Sequence, residues 1–171
     1  KNMIQNPTED DFLTMSRTKA DAYKEAIDQH TINLYDDARV LLAHLEDQQH
    51  VQLAIASSSV VAEYVIKKTY VSWQFSHIVT GAMVERNKPY PDIFNLAASK
   101  LDIPKKHLVV IEDSIAGVIA SRLAGIHVFA LNRHDSLKGL NPHNILKHMN
   151  ELKLVLTDEE LRNVNLSTTI P

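Results

Sequence analysis

At 171 residues the chain has room for one principal hydrophobic core and a small accessory element, and it falls short of two full domains. Its 44% hydrophobic and 23% charged content excludes a disordered or collagen-like chain. A net charge of −3, with both signs mixed along the length, offers no basic stripe for a nucleic-acid backbone, and the absence of cysteine excludes disulfides and thiolate metal sites.

No apolar run approaches the roughly 18 residues that crossing a bilayer takes, and the start, Lys1 to Asp10, is polar and lacks a signal-peptide core. A soluble protein of the reducing cytoplasm, without membrane or nucleic-acid partners, is the expectation. The start also lacks an initiator methionine, so the chain reads as trimmed or incomplete.

The first element is a helix over 8–30, opened by a Thr-x-x-Asp signal at Thr8 to Asp11, with Phe12, Met15, Ala22, Ala26 and Ile27 as its apolar positions. A second helix runs from Asp36 to Asp47, and the pair Asp36 and Asp37 reads as helix capping. The period then shortens. Val51 to Ala56 is a strand, Ser57, Ser58 and Ser59 form a turn, and Val60 to Lys68 is a helix. The alternation recurs with strand Ile78 to Thr80, helix Pro91 to Leu101, strand Leu108 to Ile111, helix Ser114 to Ala124 and strand His127 to Ala130. Gly125 stands where a helix must stop, a position that favours positive φ. Beyond Leu131 the chain is turn-rich to Asn144, with a helix reaching Met149 and a capped helical turn over Thr157 to Asn163. Strands separated by single helices imply right-handed crossovers and a mainly parallel sheet covered on both faces: an α/β, three-layer, Rossmann-like fold.

In such sheets ligands bind beyond the carboxyl ends of the strands. Ser57 follows one strand, Lys88 in Asn-Lys-Pro-Tyr-Pro-Asp follows the next, and Glu112 and Asp113 follow a third. A hydroxyl, an ammonium and two carboxylates suit phosphoryl transfer, which needs donors for non-bridging oxygens, a positive charge and ligands for a divalent cation. Hard oxygen ligands point to magnesium. Singly, each has an ordinary structural reading: the serines as a helix cap, Lys88 as a solvated turn lysine, and the acids as a capping pair favoured by a helix dipole. Their joint occurrence at successive strand ends is what points to a site.

The runs Leu53-Ala-Ile-Ala-Ser57, Lys88-Pro-Tyr-Pro-Asp-Ile-Phe94 and Ile111-Glu-Asp-Ser-Ile-Ala-Gly117 resemble motifs two, three and four of the haloacid dehalogenase superfamily. They are most similar to its helical-cap branch, which holds β-phosphoglucomutase-like enzymes and many sugar-phosphate phosphatases, and the likeness covers about Asp11 to Leu131. The resemblance implies that Ser57 hydrogen-bonds the transferring phosphoryl group and that Lys88 neutralises it and the nucleophile. It implies that Asp113 ligates Mg2+, with Glu112 ligating directly or through water, and that Ser58 and Ser59 contact the substrate. Residues 1–33 would be a partial helical cap and 34–171 the core. Lys19, otherwise an exposed helix lysine, stands where β-phosphoglucomutase-like proteins carry a substrate-contacting lysine.

The family's first motif is Asp-x-Asp at the end of its first strand, where one aspartate attacks phosphorus and the other serves as general acid and base. No Asp-x-Asp follows an apolar strand here, and Asp10-Asp11 and Asp36-Asp37 are adjacent pairs before helices. The resemblance places that strand mid-sheet, between Val51 to Ala56 and Leu108 to Ile111, so a slot or a rearranged pairing is expected there. The leading expectation is a magnesium-dependent phosphomonoester hydrolase of a small sugar phosphate, working through an aspartyl-phosphate. Its nucleophile segment is missing from these residues, and the 171-residue form should be inactive. A phosphomutase ranks second, because Val61 stands where the mutases usually place an asparagine. A non-catalytic pseudophosphatase interaction module is the contrasting reading. A flavodoxin-like or receiver-type domain leaves Lys88-Pro89 with Glu112-Asp113-Ser114 unexplained.

Overall fold

The structure, a computed structural model, describes residues 8–48, 50–133, 137 and 145–152. Helix α1 (Glu9–Asp28) begins where local chemistry dictates. Thr8 Oγ1 accepts the Asp11 N–H at 3.2 Å while Asp11 Oδ2 accepts the Thr8 N–H at 2.8 Å, a reciprocal cap with three acids at the positive end of the helix dipole. Of its expected apolar positions only Ile27 is buried; Ala22 and Ala26 are exposed, and Phe12 and Met15 stay 60% and 55% exposed. The sequence pattern is amphipathic, but no described element covers most of that face. At the other end Asp28 accepts hydrogen bonds from the Tyr64 hydroxyl at 2.5 Å and the Lys68 ammonium at 2.6 Å, tying α1 to α3 (Ala62–Lys68).

Helix α2 (Asp36–Glu46) corrects the capping expectation. Its N-cap is Tyr35, which makes no side-chain capping bond, and the aspartates occupy the first turn. Asp37 instead forms a tertiary tether. Its Oδ2 lies 2.7 Å from Arg133 Nη1 and accepts the Met149 N–H at 2.8 Å, and the guanidinium stacks on the Tyr35 ring at 4.3 Å. Burial alone would raise the Asp37 carboxyl, but hydrogen bonds from Arg133 and Met149, the charge of Arg133 and the Ala38 N–H outweigh it and hold the group below its ordinary value of 3.8. A depressed carboxylate stabilises the fold above its unfolded value and loses that contribution as pH falls through the folded value. We therefore expect Asp37→Asn to destabilise the protein at pH 6 by roughly 3 kcal/mol, since it leaves a guanidinium that is only 15% exposed without its carboxylate. The gap to wild type should close below the ordinary value of 3.8, as urea melts at pH 6 and below 3.8 would show.

Strands β1 (Ala54–Ser57) and β2 (His77–Thr80) pair in parallel, with Ser57 level with Thr80. Strands β3 (Val109–Glu112), β4 (His127–Leu131) and β5 (Ile145–Leu146) form a second parallel ladder, with Glu112 level with Ala130. Helices α4 (Asp92–Leu101) and α5 (Ile115–Leu123) cover one face. There Val79, Ile93, Phe94, Ala97, Ala98, Ala120, Ala124 and Ile126 make one core, against which Ala56 of β1 and Val110 of β3 both pack. On the other face Ile111, Phe129, Leu131 and Leu146 meet Leu41 and Leu45 of α2. Adjacent residues of β3 thus serve opposite faces, as the two-residue period of a strand requires. Ile93 is fully buried, and burying such a side chain contributes about 1.5 to 3 kcal/mol.

The layers are therefore those of a three-layer α/β fold, but the strands fall into two ladders: β1 and β3 make no pairing with each other. Among the described residues the parallel arrangement is interrupted there, at the position where the resemblance places an additional strand. The helix expected to reach Met149 is not formed. Ile145 and Leu146 extend the sheet beside β4, and a 3-10 turn follows at Met149–Glu151. Two apolar residues can bury one against each face of a sheet layer, and a run that short carries no period to distinguish strand from helix. The segment Thr157 to Asn163 lies outside the described residues. Gly125 takes φ +72° after α5, the left-handed stop anticipated for it. No helix among the described residues is long and apolar enough to cross a membrane.

Candidate active site

The carboxyl ends of β1 and β3 are joined by one side chain. Lys88 leaves the loop after β2, where the Lys88–Pro89 peptide bond is cis, and its ammonium donates to Ala56 O of β1 at 3.1 Å and to Glu112 Oε1 of β3 at 2.9 Å. It also lies over the Phe94 ring at 4.9 Å, close to the start of α4. Both Lys88 and Glu112 are only 11% exposed, so this ion pair is shielded from water and from salt. The solvated-lysine reading is excluded by that burial.

Glu112 is held from three directions. Oε1 accepts from Lys88 and, at 2.8 Å, from the Ser114 hydroxyl, while Oε2 accepts the Asp113 N–H at 3.2 Å. The cap of α5 is Ser114, whose Oγ accepts the Gly117 N–H at 3.0 Å. Glu112 and Asp113 are therefore not the capping pair that one structural reading offered. Asp113 points the other way in character: it is exposed, and its carboxylate accepts no hydrogen bond among the described residues.

The serines do not cap α3 either, because its N-cap is Val61 and no side chain bonds there. They build a turn of their own. Ser57 Oγ accepts the Ser59 N–H at 3.2 Å, and Ser59 Oγ accepts the Val61 N–H at 3.3 Å. Ser57 is part-buried at the strand end, whereas Ser58 and Ser59 are exposed. Lys19 is exposed on α1 and makes no hydrogen bond or ion pair among the described residues. The structure thus joins Lys88 to Glu112, with Ser57 and Asp113 at the ends of the same two strands, and leaves Lys19 apart. Ser114 and Gly117 belong to the run Ile111 to Gly117, but residue type alone assigns them no role; the contacts that reveal one depend on the Glu112 rotamer.

A magnesium ion takes about six oxygens and is commonly held by one or two carboxylates, with water and substrate phosphate completing the shell. The unengaged Asp113 carboxylate fits that demand, while Glu112 has most of its acceptor capacity occupied by three donors. No group of three acidic or histidine side chains converges among the described residues, so the ion would rest chiefly on Asp113 and on oxygens from elsewhere. Two cavities lie away from this cluster. One of about 240 Å³ is lined by Leu42, Leu45, Val51 and Trp73, and one of about 490 Å³ lies between the end of α1 and the end of α3, around Ile27, Asp28, Lys68 and Tyr70.

Fold and strand-end cluster together define a three-layer α/β protein whose polar residues gather at the carboxyl ends of parallel strands. The profile described as haloacid dehalogenase-like hydrolase matches residues 1–131, and the chain belongs to that family. It is 28% identical over 131 residues to β-phosphoglucomutase of Bacillus subtilis (strain 168), a match covering 77% of this chain and 57% of that protein. It is 39% identical over 70 residues to hexitol phosphatase A of Escherichia coli (strain K12), covering 41% of this chain and 32% of that protein. The chain therefore spans between about a third and somewhat over half of these relatives. Among solved structures it resembles CbbY from Rhodobacter sphaeroides in complex with phosphate, with TM-score 0.74 and 25% identity over 88% of this chain and 70% of that one. It shares its fold with β-phosphoglucomutase from Clostridium difficile, with TM-score 0.77 and 23% identity over 91% of this chain and 69% of that one.

Proposed function

We propose that these residues form most of the core of a cytoplasmic, magnesium-dependent phosphomonoester hydrolase acting on a small sugar phosphate. The observation that carries this reading is the shielded Lys88 ammonium, held between the ends of β1 and β3 beside Glu112. In this role Lys88 offsets charge on the phosphoryl group and on its attacking partner, a contribution that grows in a site sheltered from water. Ser57 Oγ already accepts the Ser59 N–H, which leaves its O–H to donate to a phosphoryl oxygen. Asp113 holds magnesium, and Glu112 contributes directly or through water. Bound there, magnesium supplies charge neutralisation at the phosphoryl oxygens.

The attacking carboxylate is not supplied in Asp-x-Asp form by these 171 residues. We place it on a strand between β1 and β3, where the two ladders lack mutual pairing and Lys88 reaches both sides. Attack from that strand breaks the bond between phosphorus and the sugar oxygen, which leaves as the alcohol with a proton from the second aspartate of the motif. Water, deprotonated by that same aspartate, then cleaves the aspartyl-phosphate to inorganic phosphate and restores the carboxylate. Residues 1–33 belong to a helical cap, for which the uncovered apolar face of α1 provides the packing surface, and Lys19, Ser58 and Ser59 meet the substrate when the cap is complete. The names of the relatives, a hexitol phosphatase and a protein crystallised with xylulose-(1,5)-bisphosphate, support a sugar phosphate as substrate. The match to β-phosphoglucomutase favours a phosphomutase as the second reading. Against it, Val61 is buried and cannot take the polar role of an asparagine.

The native protein should release inorganic phosphate from a panel of sugar phosphates with magnesium and not with EDTA, while the isolated 171-residue chain should not. Isomerisation of a sugar phosphate without net phosphate release selects the phosphomutase. Turnover by the isolated chain, free of contaminants, would contradict the assignment of the nucleophile.

A further inference from the structure

Gly117 lies in the first turn of α5, buried, in a helix where alanine would be the better helix former. The reason for glycine is visible in what a Cβ there would meet. Its three nearest neighbours are Oε1, Cδ and Cγ of Glu112, all closer than any real Cβ contact. Glu112 folds back across the helix start through the space that a methyl group would fill. In that position its Oε1 reaches both the Ser114 hydroxyl and the Lys88 ammonium. The Gly117 N–H closes the arrangement by donating to Ser114 Oγ. An alanine at this position forces the carboxylate out, and the ammonium loses its charged partner.

We propose that Gly117 is a positioning residue for the phosphoryl-transfer site: the missing side chain seats Glu112, and Glu112 in turn holds Lys88 where its charge is used. The catalytic part of this inference rests on the function proposed above, whereas the seating of Lys88 does not. Gly117 touches no reacting atom and acts only through Glu112.

The test is a four-protein cycle in the native chain: wild type, Gly117→Ala, Glu112→Ala and the double variant. Acetic anhydride labelling, read by mass spectrometry, reports on Lys88 without any activity. Lys88 should be protected in wild type and several-fold more reactive in Gly117→Ala, and the double variant should match Glu112→Ala alone. Thermal melts give an independent sign. Gly117→Ala should lower Tm when Glu112 is present and raise it in the Glu112→Ala background, because the clash is gone and alanine favours the helix. Turnover should fall on the order of a hundredfold in Gly117→Ala, the scale of a misplacement of about 1 Å. Unchanged Lys88 labelling in Gly117→Ala, or a Tm penalty of equal size in both backgrounds, overturns the proposal. If Gly117→Ala does not fold but the double variant does, the proposal stands; if neither folds, Gly117 serves helix packing and the proposal falls. These labelling and Tm patterns in a cycle whose wild type shows no turnover refute the hydrolase reading and leave the seating of Lys88 by Gly117 intact.

Discussion

If the proposed role of Lys88 holds, Lys88→Ala in the native protein is expected to lower kcat by on the order of 10² to 10³, the usual cost of removing one group that stabilises developing charge in a sheltered site. The same substitution is expected to destabilise the fold by about 3 kcal/mol, because Glu112, 11% exposed, is left without its cation. Ser114 and the Asp113 N–H remain as donors to the carboxylate, but they carry no charge. Lys88→Met keeps most of the packing beside Phe94 and should lose the same activity, which separates the charge from the volume of the side chain. Steady-state rates and urea melts on both variants measure the two effects. A variant with normal kcat and reduced stability would make Lys88 a structural brace and nothing more.

Asp113→Asn should leave the opposite signature. Its carboxylate is exposed and accepts no hydrogen bond among the described residues, so stability should change by no more than about 0.5 kcal/mol. Turnover should nevertheless fall on the order of a hundredfold or more, since the amide is a poor ligand for a hard cation, and raised magnesium should recover part of it. A magnesium titration of the initial rate beside a thermal melt tests both statements. Two residues that are neighbours in the proposed site are thus distinguished by burial: one substitution damages fold and rate together, the other the rate alone.

Features fixed within a few residues were legible in the sequence. The Thr8–Asp11 capping box and the Gly125 stop depend on local backbone chemistry and stand where the pattern placed them, and the helix expected over Pro91 to Leu101 forms from Asp92 with Pro91 as its N-cap. Boundaries moved where tertiary packing decides. The first strand begins at Ala54, not Val51, and α3 begins at Ala62 after a serine turn whose internal hydrogen bonds compete with capping. The Asp37 tether to Met149 spans 112 positions, and no local pattern announces it. The division of the strands into two ladders was anticipated only through family resemblance, because alternation of elements says nothing of which edges meet. For the site, residue types and strand-end positions were readable for Ser57, Lys88, Glu112 and Asp113. What the sequence withheld was the rotamer of Glu112, and with it the roles of Ser114 and Gly117.

A crystal structure of the native protein with magnesium and orthovanadate tests whether the ends of β1 and β3 form a phosphoryl-transfer site. Vanadate is expected within hydrogen-bond reach of Ser57 Oγ and Lys88 Nζ, with magnesium on the Asp113 carboxylate. Vanadate bound instead in the cavity around Ile27, Lys68 and Tyr70, out of reach of Ser57 Oγ and Lys88 Nζ and with no metal at Asp113, would contradict that assignment.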